Sequence, residues 1–176
     1  MRMLLAADFM DNARLKTDFD FLLNASDGKF SLDVEMNKIN ATQLNKASKP
    51  LAKVEVEEGT INKVLFHTSG NENSTTGNID FLYEGLKINI LEPDPEDGEL
   101  QKQGFKSFLA NTFLIKDANP GNKDEPRRAL NITTQRHPKK GYFNLVWRNL
   151  FDGLKEIITA GKIGDKKAEK KGKKSS

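Results

Sequence analysis

ARLKTDFDFLLN, residues 13–24, and KFSLDVEMN, residues 29–37, alternate apolar and polar residues almost without a break. In the first stretch Ala13, Leu15, Thr17, Phe19, Phe21 and Leu23 fall on one side. Arg14, Lys16, Asp18, Asp20 and Asn24 fall on the other, with Leu22 the exception. In the second, Phe30, Leu32, Val34 and Met36 oppose Ser31, Asp33, Glu35 and Asn37. Strand side chains change face at every residue, so this pattern predicts antiparallel strands with one dry face and one wet face. The connection Ala25-Ser26-Asp27-Gly28 has the composition of a hairpin turn.

Working outward, NATQLNKASKPL (residues 40–51) interrupts the alternation. Asn40 suits a helix N-cap, Leu44 gives a short helix one buried contact, and Pro50 is expected to stop it. Val54 and Val56 restart the strand pattern, and Gly59 is expected in a turn. Val64, Phe66 and Thr68 share a face with which Ile61 is out of phase, which requires a bulge near Asn62–Lys63. NENST (71–75) reads as a polar turn. Ile79, Phe81 and Tyr83 form the next face, and Leu86, Ile88 and Ile90 the one after Gly85. EPDPEDGE (92–99) is a break. Phe105, Phe108, Leu109 and Thr112 then predict a short helix passing into extended chain around Phe113–Ile115. RRALNITTQRH (127–137) reads as a last strand, with Leu130, Ile132 and Thr134 on one side.

The expected fold is therefore mainly β: an antiparallel meander of roughly seven or eight strands, with a short embedded helix and a C-terminal amphipathic helix. Its dry face needs a cover. Alternation alone leaves three outcomes: a closed barrel, a sandwich, or a curved groove or half-barrel that stays open.

GYFNLVWRNLFDGLKEIITAGKIGDKKAEKKGKKSS (141–176) joins an aromatic helical pattern to a run of lysines. Phe143, Val146, Trp147, Leu150, Leu154 and Ile157 recur at steps of three and four, widened by Phe151 and Ile158. Asn144, Arg148, Asp152, Lys155 and Glu156 lie opposite. Such a helix can cap the sheet. It can also lie in a membrane interface through Tyr142, Phe143, Trp147, Leu150 and Phe151, beside the lysines. Its polar face is not lysine-rich, which favours the cap.

Charge separates the two parts. Residues 162–176 carry a net +5 against a total of +3, leaving residues 1–161 at −2. The basicity belongs to the tail, and aromatic residues do not interleave with its lysines, so a nucleic-acid partner has no support. The reading is one domain over 1–160 and a disordered lysine-rich tail over 161–176.

Signatures of chemistry are sparse. There is no cysteine, and the two histidines, His67 and His137, lack metal-ligand spacing. TSGNENST (68–75) resembles no nucleophile elbow or phosphate loop. Asp18, Asp20, Asp33 and Glu35 sit where wet strand positions fall, and Asp94, Asp97 and Glu99 lack EF-hand order. The expectation is a non-catalytic protein without metal or cofactor. The start, MRMLLAADFMD, is too short in its apolar run for a signal peptide, and no window is apolar enough for a membrane span. Taken as complete, the chain reads as cytoplasmic.

The order of segments from Phe30 through INIL (88–91), FKSFLANTFLIK (105–116) and HPKKGYFNLVWRNLFDGLKE (137–156) resembles the C-terminal portion of AsmA-like envelope proteins, particularly the Bacteroidetes-type versions. The likeness covers about residues 28–158 and stops before the lysines. It implies an open, twisted β-groove in the periplasm, held to the inner membrane by an anchor on a longer parent chain. It also implies a role in moving phospholipid toward the outer membrane. A continuous dry face lowers the barrier for acyl chains that water excludes. The residues expected to line it are Leu15, Phe19, Phe21, Phe30, Leu32, Val34, Val64, Phe66, Ile79, Phe81, Ile88 and Ile90; the alternative is that they are ordinary core. Expected partners are phospholipid, the membrane surface and envelope assembly proteins. The rival functions are a β-scaffold for envelope assembly working through a strand edge, and a closed barrel holding one ligand.

Overall fold

A computed structural model of the chain describes residues 1–10, 13–52, 54–90, 118–121 and 125–172, with side chains left out at 89–90 and 159–172. The helix and strand expected within 105–115, and the carboxylates Asp94, Asp97 and Glu99, lie outside these residues.

The alternating stretches form the strands expected of them. β2 (Ala13–Phe21) and β3 (Phe30–Met36) pair antiparallel, with Phe21 opposite Phe30 and Leu15 opposite Met36. Their turn closes through Gly28, whose φ of 63° favours glycine. A side chain there would also collide with the Tyr142 hydroxyl, which donates to the Gly28 carbonyl at 3.2 Å. β1 (Arg2–Phe9) precedes them and pairs with β2 along its whole length. The sequence did not announce this strand: Leu4 and Ala6 on its wet side blur the alternation into an apolar run.

β4 (Ile39–Asn40) is a short spur against β5 (Val54–Gly70). β6 (Ser74–Ile90) returns along β5, and β7 (Ala118–Asn119) and β8 (Arg128–Gln135) share its far side. Among the described residues the order β1-β2-β3-β5-β6-β8 is antiparallel and does not close, so their sheet is an open curved layer rather than a barrel.

β5 and β6 are each 17 residues long, where the sequence pattern suggested shorter strands, with a turn at Gly59 and a new face after Gly85. Those glycines instead sit inside the ladder at φ 124° and 56°. A Cβ on Gly59 would meet the Leu86 Cα at 2.7 Å, so only a glycine lets the two backbones approach here. The register shifts between Val56 and Glu58, between Glu58 and Thr60, and between Ile61 and Lys63. The last is the bulge that Ile61 required: Asn62 is the extra residue, and it restores Ile61 and Val64 to one face.

β8 carries another bulge. Asn131 has φ 58°, and the register slips between Gly77 and Ile79. The slip turns Ala129 inward at 0 % exposure and Leu130 outward at 57 %, so Leu130 does not share the inner face with Ile132 and Thr134 as expected.

Asn40 caps the first helical turn by accepting from the Thr42 amide at 3.0 Å. A 3₁₀ turn (Ala41–Leu44) leads into α1 (Asn45–Ala52), which includes Pro50 and ends two residues beyond it, so the proline does not stop the helix where expected. Asn45 ties this element to β5 by exchanging side-chain bonds with both the N–H and the C=O of Val56, at 2.7 and 2.8 Å.

α2 (Tyr142–Gly172) crosses the dry face of β8 and β6 and runs past Ile158 into the lysine segment that the charge pattern set outside the domain. Its packing follows from two repeats. Four helical residues rise about 6 Å and two strand residues about 6.8 Å, so a helix lying along a strand matches every fourth residue to every second. Asn149 accordingly sits over Gly77, and Gly153 over Ile79. The buried line is Leu145, Asn149, Gly153 and Ile157, not the aromatic stripe that the spacing suggested. Small residues on each element admit larger ones on the other. Burying side chains such as Ile79, Phe81 and Ile157 contributes about 1.5–3 kcal/mol each.

Candidate functional site

Strand register places the expected groove residues on one face. One row reads Leu5, Thr17, Val34, Phe66, Ile79 and Ala129; its neighbour reads Met3, Phe19, Leu32, Thr68, Gly77 and Ile132. This face is covered unevenly. Under α2 it is core: Phe66 and Ile79 are buried, as is Phe81 farther along β6. Leu15, Leu32, Val34, Val64 and Ile88 are half-buried against that core. Ile90 closes β6 opposite Val54, but its side chain is outside the described set.

Among the described residues the cover ends toward β1. Phe19 and Phe21 are half-buried and meet edge to face at 4.0 Å between ring centroids, with Phe30 at 6.0 Å from Phe19. Phe30 is buried beneath Tyr142 at 5.6 Å. Beyond them on the same face, Met3 is 49 % and Leu5 59 % exposed. Neither was selected from the sequence. No apolar–polar alternation marks them, because Leu4 and Ala6 on the opposite face are apolar too.

The orientation of α2 decides what borders this open strip. Its polar side is fixed to β8: Asp152 accepts from the Thr134 hydroxyl at 3.0 Å, and Arg148 donates to the Gln135 carbonyl at 3.3 Å. At about 100° per residue, the opposite side carries Phe143, Trp147, Leu150 and Leu154 toward β5 and the uncovered strands. Leu150 and Leu154 pack on the core, Trp147 and Phe151 are half-buried, and Phe143 is 74 % exposed. Tyr142 turns inward, with Arg136 stacked 5.3 Å from its ring centre. Of the five residues suggested for a membrane interface, Phe143 is thus the outward one.

A buried polar seam fixes the helix in place. Asn149 accepts from the Thr68 hydroxyl at 3.0 Å and donates to the Ile132 carbonyl at 2.6 Å and to Thr134 Oγ1 at 3.1 Å. Thr68 and Thr75 share a bond of 2.6 Å beneath it. Sequence reasoning missed Asn149, since a polar residue among Leu and Phe reads as solvent-facing.

The wet face holds ion pairs in rows. Arg2 grips Asp18 through Nε and a terminal nitrogen, at 2.9 and 2.5 Å, and that hydrogen bond draws the Asp18 carboxyl below its ordinary range. His67 Nδ1 lies 2.7 Å from Asp33, Lys63 lies 3.2 Å from Glu35, and Arg128 lies 3.3 Å from Asp80. A hollow of about 670 Å³ opens here, where Leu4, Leu65 and Phe66 line it together with Lys16, Asp33 and His67. Its lining thus mixes apolar side chains with charged ones. Tyr83, fully buried near the far end of the sheet, has its phenol pushed up by burial, against the pull of Arg127 at 3.3 Å.

Among the described residues no three His, Cys, Asp or Glu side chains gather as a metal site, and no helix is long and apolar enough to cross a membrane. Neither a family model, nor a curated protein, nor a solved structure matches the chain.

Proposed function

We propose that the dry face binds phospholipid acyl chains in the strip between α2 and β1, as part of an AsmA-like envelope protein without catalytic residues. The observation that carries the reading is the uneven cover: the apolar face continues past the helix across β3, β2 and β1, ending in exposed Met3 and Leu5. An apolar strip of this kind bordered by Trp147 and Phe143 offers an acyl chain contact on two sides, while a headgroup stays in water. On this reading Phe19, Phe21, Leu32 and Leu15 touch lipid, whereas Phe66, Ile79 and Phe81 support the floor from the core. The chain then works in the periplasm of a diderm cell, with the membrane surface as donor.

The test is lipid extraction and native mass spectrometry of protein purified from a diderm host, with a photoreactive residue at Phe19. Phe81 is 6 % exposed and too enclosed to report. Co-purifying phospholipid crosslinked at residue 19 supports the reading. Absence of both lipid and crosslink sinks it, and leaves the β-scaffold reading, for which the outer edge of β1, unpaired among the described residues, is the supporting observation.

A further inference from the structure

We propose that β1 is a self-association edge: two copies of this chain pair their β1 strands antiparallel about a twofold axis at Leu5, joining two dry faces into one floor. The proposal stands apart from lipid binding and survives its failure.

Hydrogen-bond phase comes first. Met1 and Phe21 exchange both backbone bonds, at 2.5 and 2.7 Å, so the odd residues of β1 face β2. Arg2, Leu4, Ala6 and Asp8 therefore aim their N–H and C=O groups outward. Among the described residues no strand pairs with that side.

The edge also lacks the usual defences. β1 contains no proline, no lysine and no bulge. Its apolar side chains are exposed on both faces, Met3 and Leu5 on the dry one and Leu4, at 72 %, on the wet one.

Charge then selects the partner and the register. Pairing about Leu5 sets Arg2 opposite Asp8 of the second copy, Met3 opposite Ala7 of the second copy, and Leu4 opposite Ala6 of the second copy. The two charged residues of β1 each meet their complement, Met3 and Leu4 each meet an alanine, and Leu5 meets its own copy at the axis. Within one chain Asp20 already lies opposite Arg2, and Arg14 opposite Asp8. The joined sheet thus carries a row of alternating sign: Asp20, Arg2, then Asp8 and Arg14 of the second copy. A slip of two residues either way sets Arg2 against Ala6 or Met10 and loses the match. The contact is isologous and closed, as a twofold requires.

The chain has no cysteine, so introduced thiols are clean reporters. Leu5 at the axis is a non-hydrogen-bonded pair with Cα atoms about 4.5 Å apart, within disulfide reach. The full chain is expected to sediment as a concentration-dependent dimer, and Leu5→Cys to oxidise to a covalent dimer. Met3→Cys is expected to crosslink only when mixed with Ala7→Cys. Leu4→Pro removes an outward N–H without touching the ladder to β2, so it should raise the dimer Kd roughly tenfold or more with the circular dichroism unchanged. A monomer at every concentration overturns the proposal, as does Met3→Cys crosslinking alone as fast as Leu5→Cys. A monomer whose Leu4 and Ala6 amides resist hydrogen exchange also overturns it, and assigns the edge to another strand of the same chain.

Discussion

Gly153 of α2 stands on Ile79 of β6 so closely that a methyl group on its Cα would lie 2.6 Å from Ile79 Cγ2. Glycine inside a helix costs about 1 kcal/mol relative to alanine, so its place here traces to the space beneath it rather than to helix propensity. Ile79 is 1 % exposed and has no room to yield. The contact sets how low the helix rides, and so how much of the sheet it covers.

Gly153→Ala is therefore expected to destabilise the fold by about 1–3 kcal/mol, against the gain its propensity would bring. Ile79→Ala in the same chain opens the space, and the double variant should lose less than the two single losses combined. Urea midpoints of the four proteins measure the coupling. Additive losses would show that the helix is not seated on Ile79.

Asn149→Ala is expected to cost about 1–3 kcal/mol, because it removes three hydrogen bonds from a dry interface, although Thr68 keeps Thr75 and Thr134 keeps Asp152. A lowered urea midpoint with an unchanged slope is the expected signature. Removal of Thr134 on top of Asn149 should cost less than its removal alone, since only its bond to Asp152 is left to lose.

Asp18 provides a pH reading on the wet face. Its hydrogen bond to Arg2 lowers its folded pKa below the ordinary carboxylate value. The pair's support is thus present above that value and is lost as pH falls through the folded one. Carboxyl carbon shifts should show Asp18 titrating at lower pH in the native chain than in Arg2→Gln, with the gap narrowing in high salt. Coincident curves would mean the pair does not form in solution.

At the alkaline end Tyr83 acts in the opposite sense. Burial raises its folded pKa, so the folded state keeps the phenolic proton. That contribution is intact below the ordinary tyrosine value of about 10 and is lost as pH rises through the folded value. Absorbance at alkaline pH should show Tyr83 ionising late and together with loss of circular dichroism. Tyr83→Phe, which cannot ionise, should move the alkaline unfolding limb upward.

Trp147 is the single tryptophan and borders the open strip. If acyl chains occupy the strip, brominated phospholipid will quench its emission, and Leu5→Asp will abolish the quenching while leaving the thermal transition within a few degrees. Phe143→Glu should likewise spare stability, because that ring is 74 % exposed. Loss of liposome flotation in Phe143→Glu alone would assign the ring to a membrane interface instead.

Alternation in Ala13–Phe21 and Phe30–Met36 made the mainly antiparallel architecture legible, since a half-wetted strand writes its faces into the sequence. The bulge at Asn62 was legible for the same reason, because Ile61 broke phase with Val64. β1 was not, since an edge strand exposed on both sides has no need to alternate. The helix was legible as amphipathic, but its buried line was not: Asn149 and Gly153 are chosen by what lies under them, Thr68 and Ile79, and those are more than seventy residues away. Leu130 misled because Asn131 adopts a left-handed backbone, a local event that leaves no periodic trace.

The extra residue at Asn62 has a consequence for how such a chain tolerates change in length. The strand on either side is correctly phased only because one residue is uncounted by the partner strand. Deleting Asn62 would therefore smooth the kink and leave the ladder intact: Ile61 stays opposite Tyr83, Lys63 opposite Leu82 and Val64 opposite Phe81. Deleting Leu65, which β6 does count, would instead bring Phe66 opposite Asp80 and turn the inner face out toward the strand end. Single-codon deletions should therefore be accepted at Asn62 and purged at Leu65, three positions along the same strand.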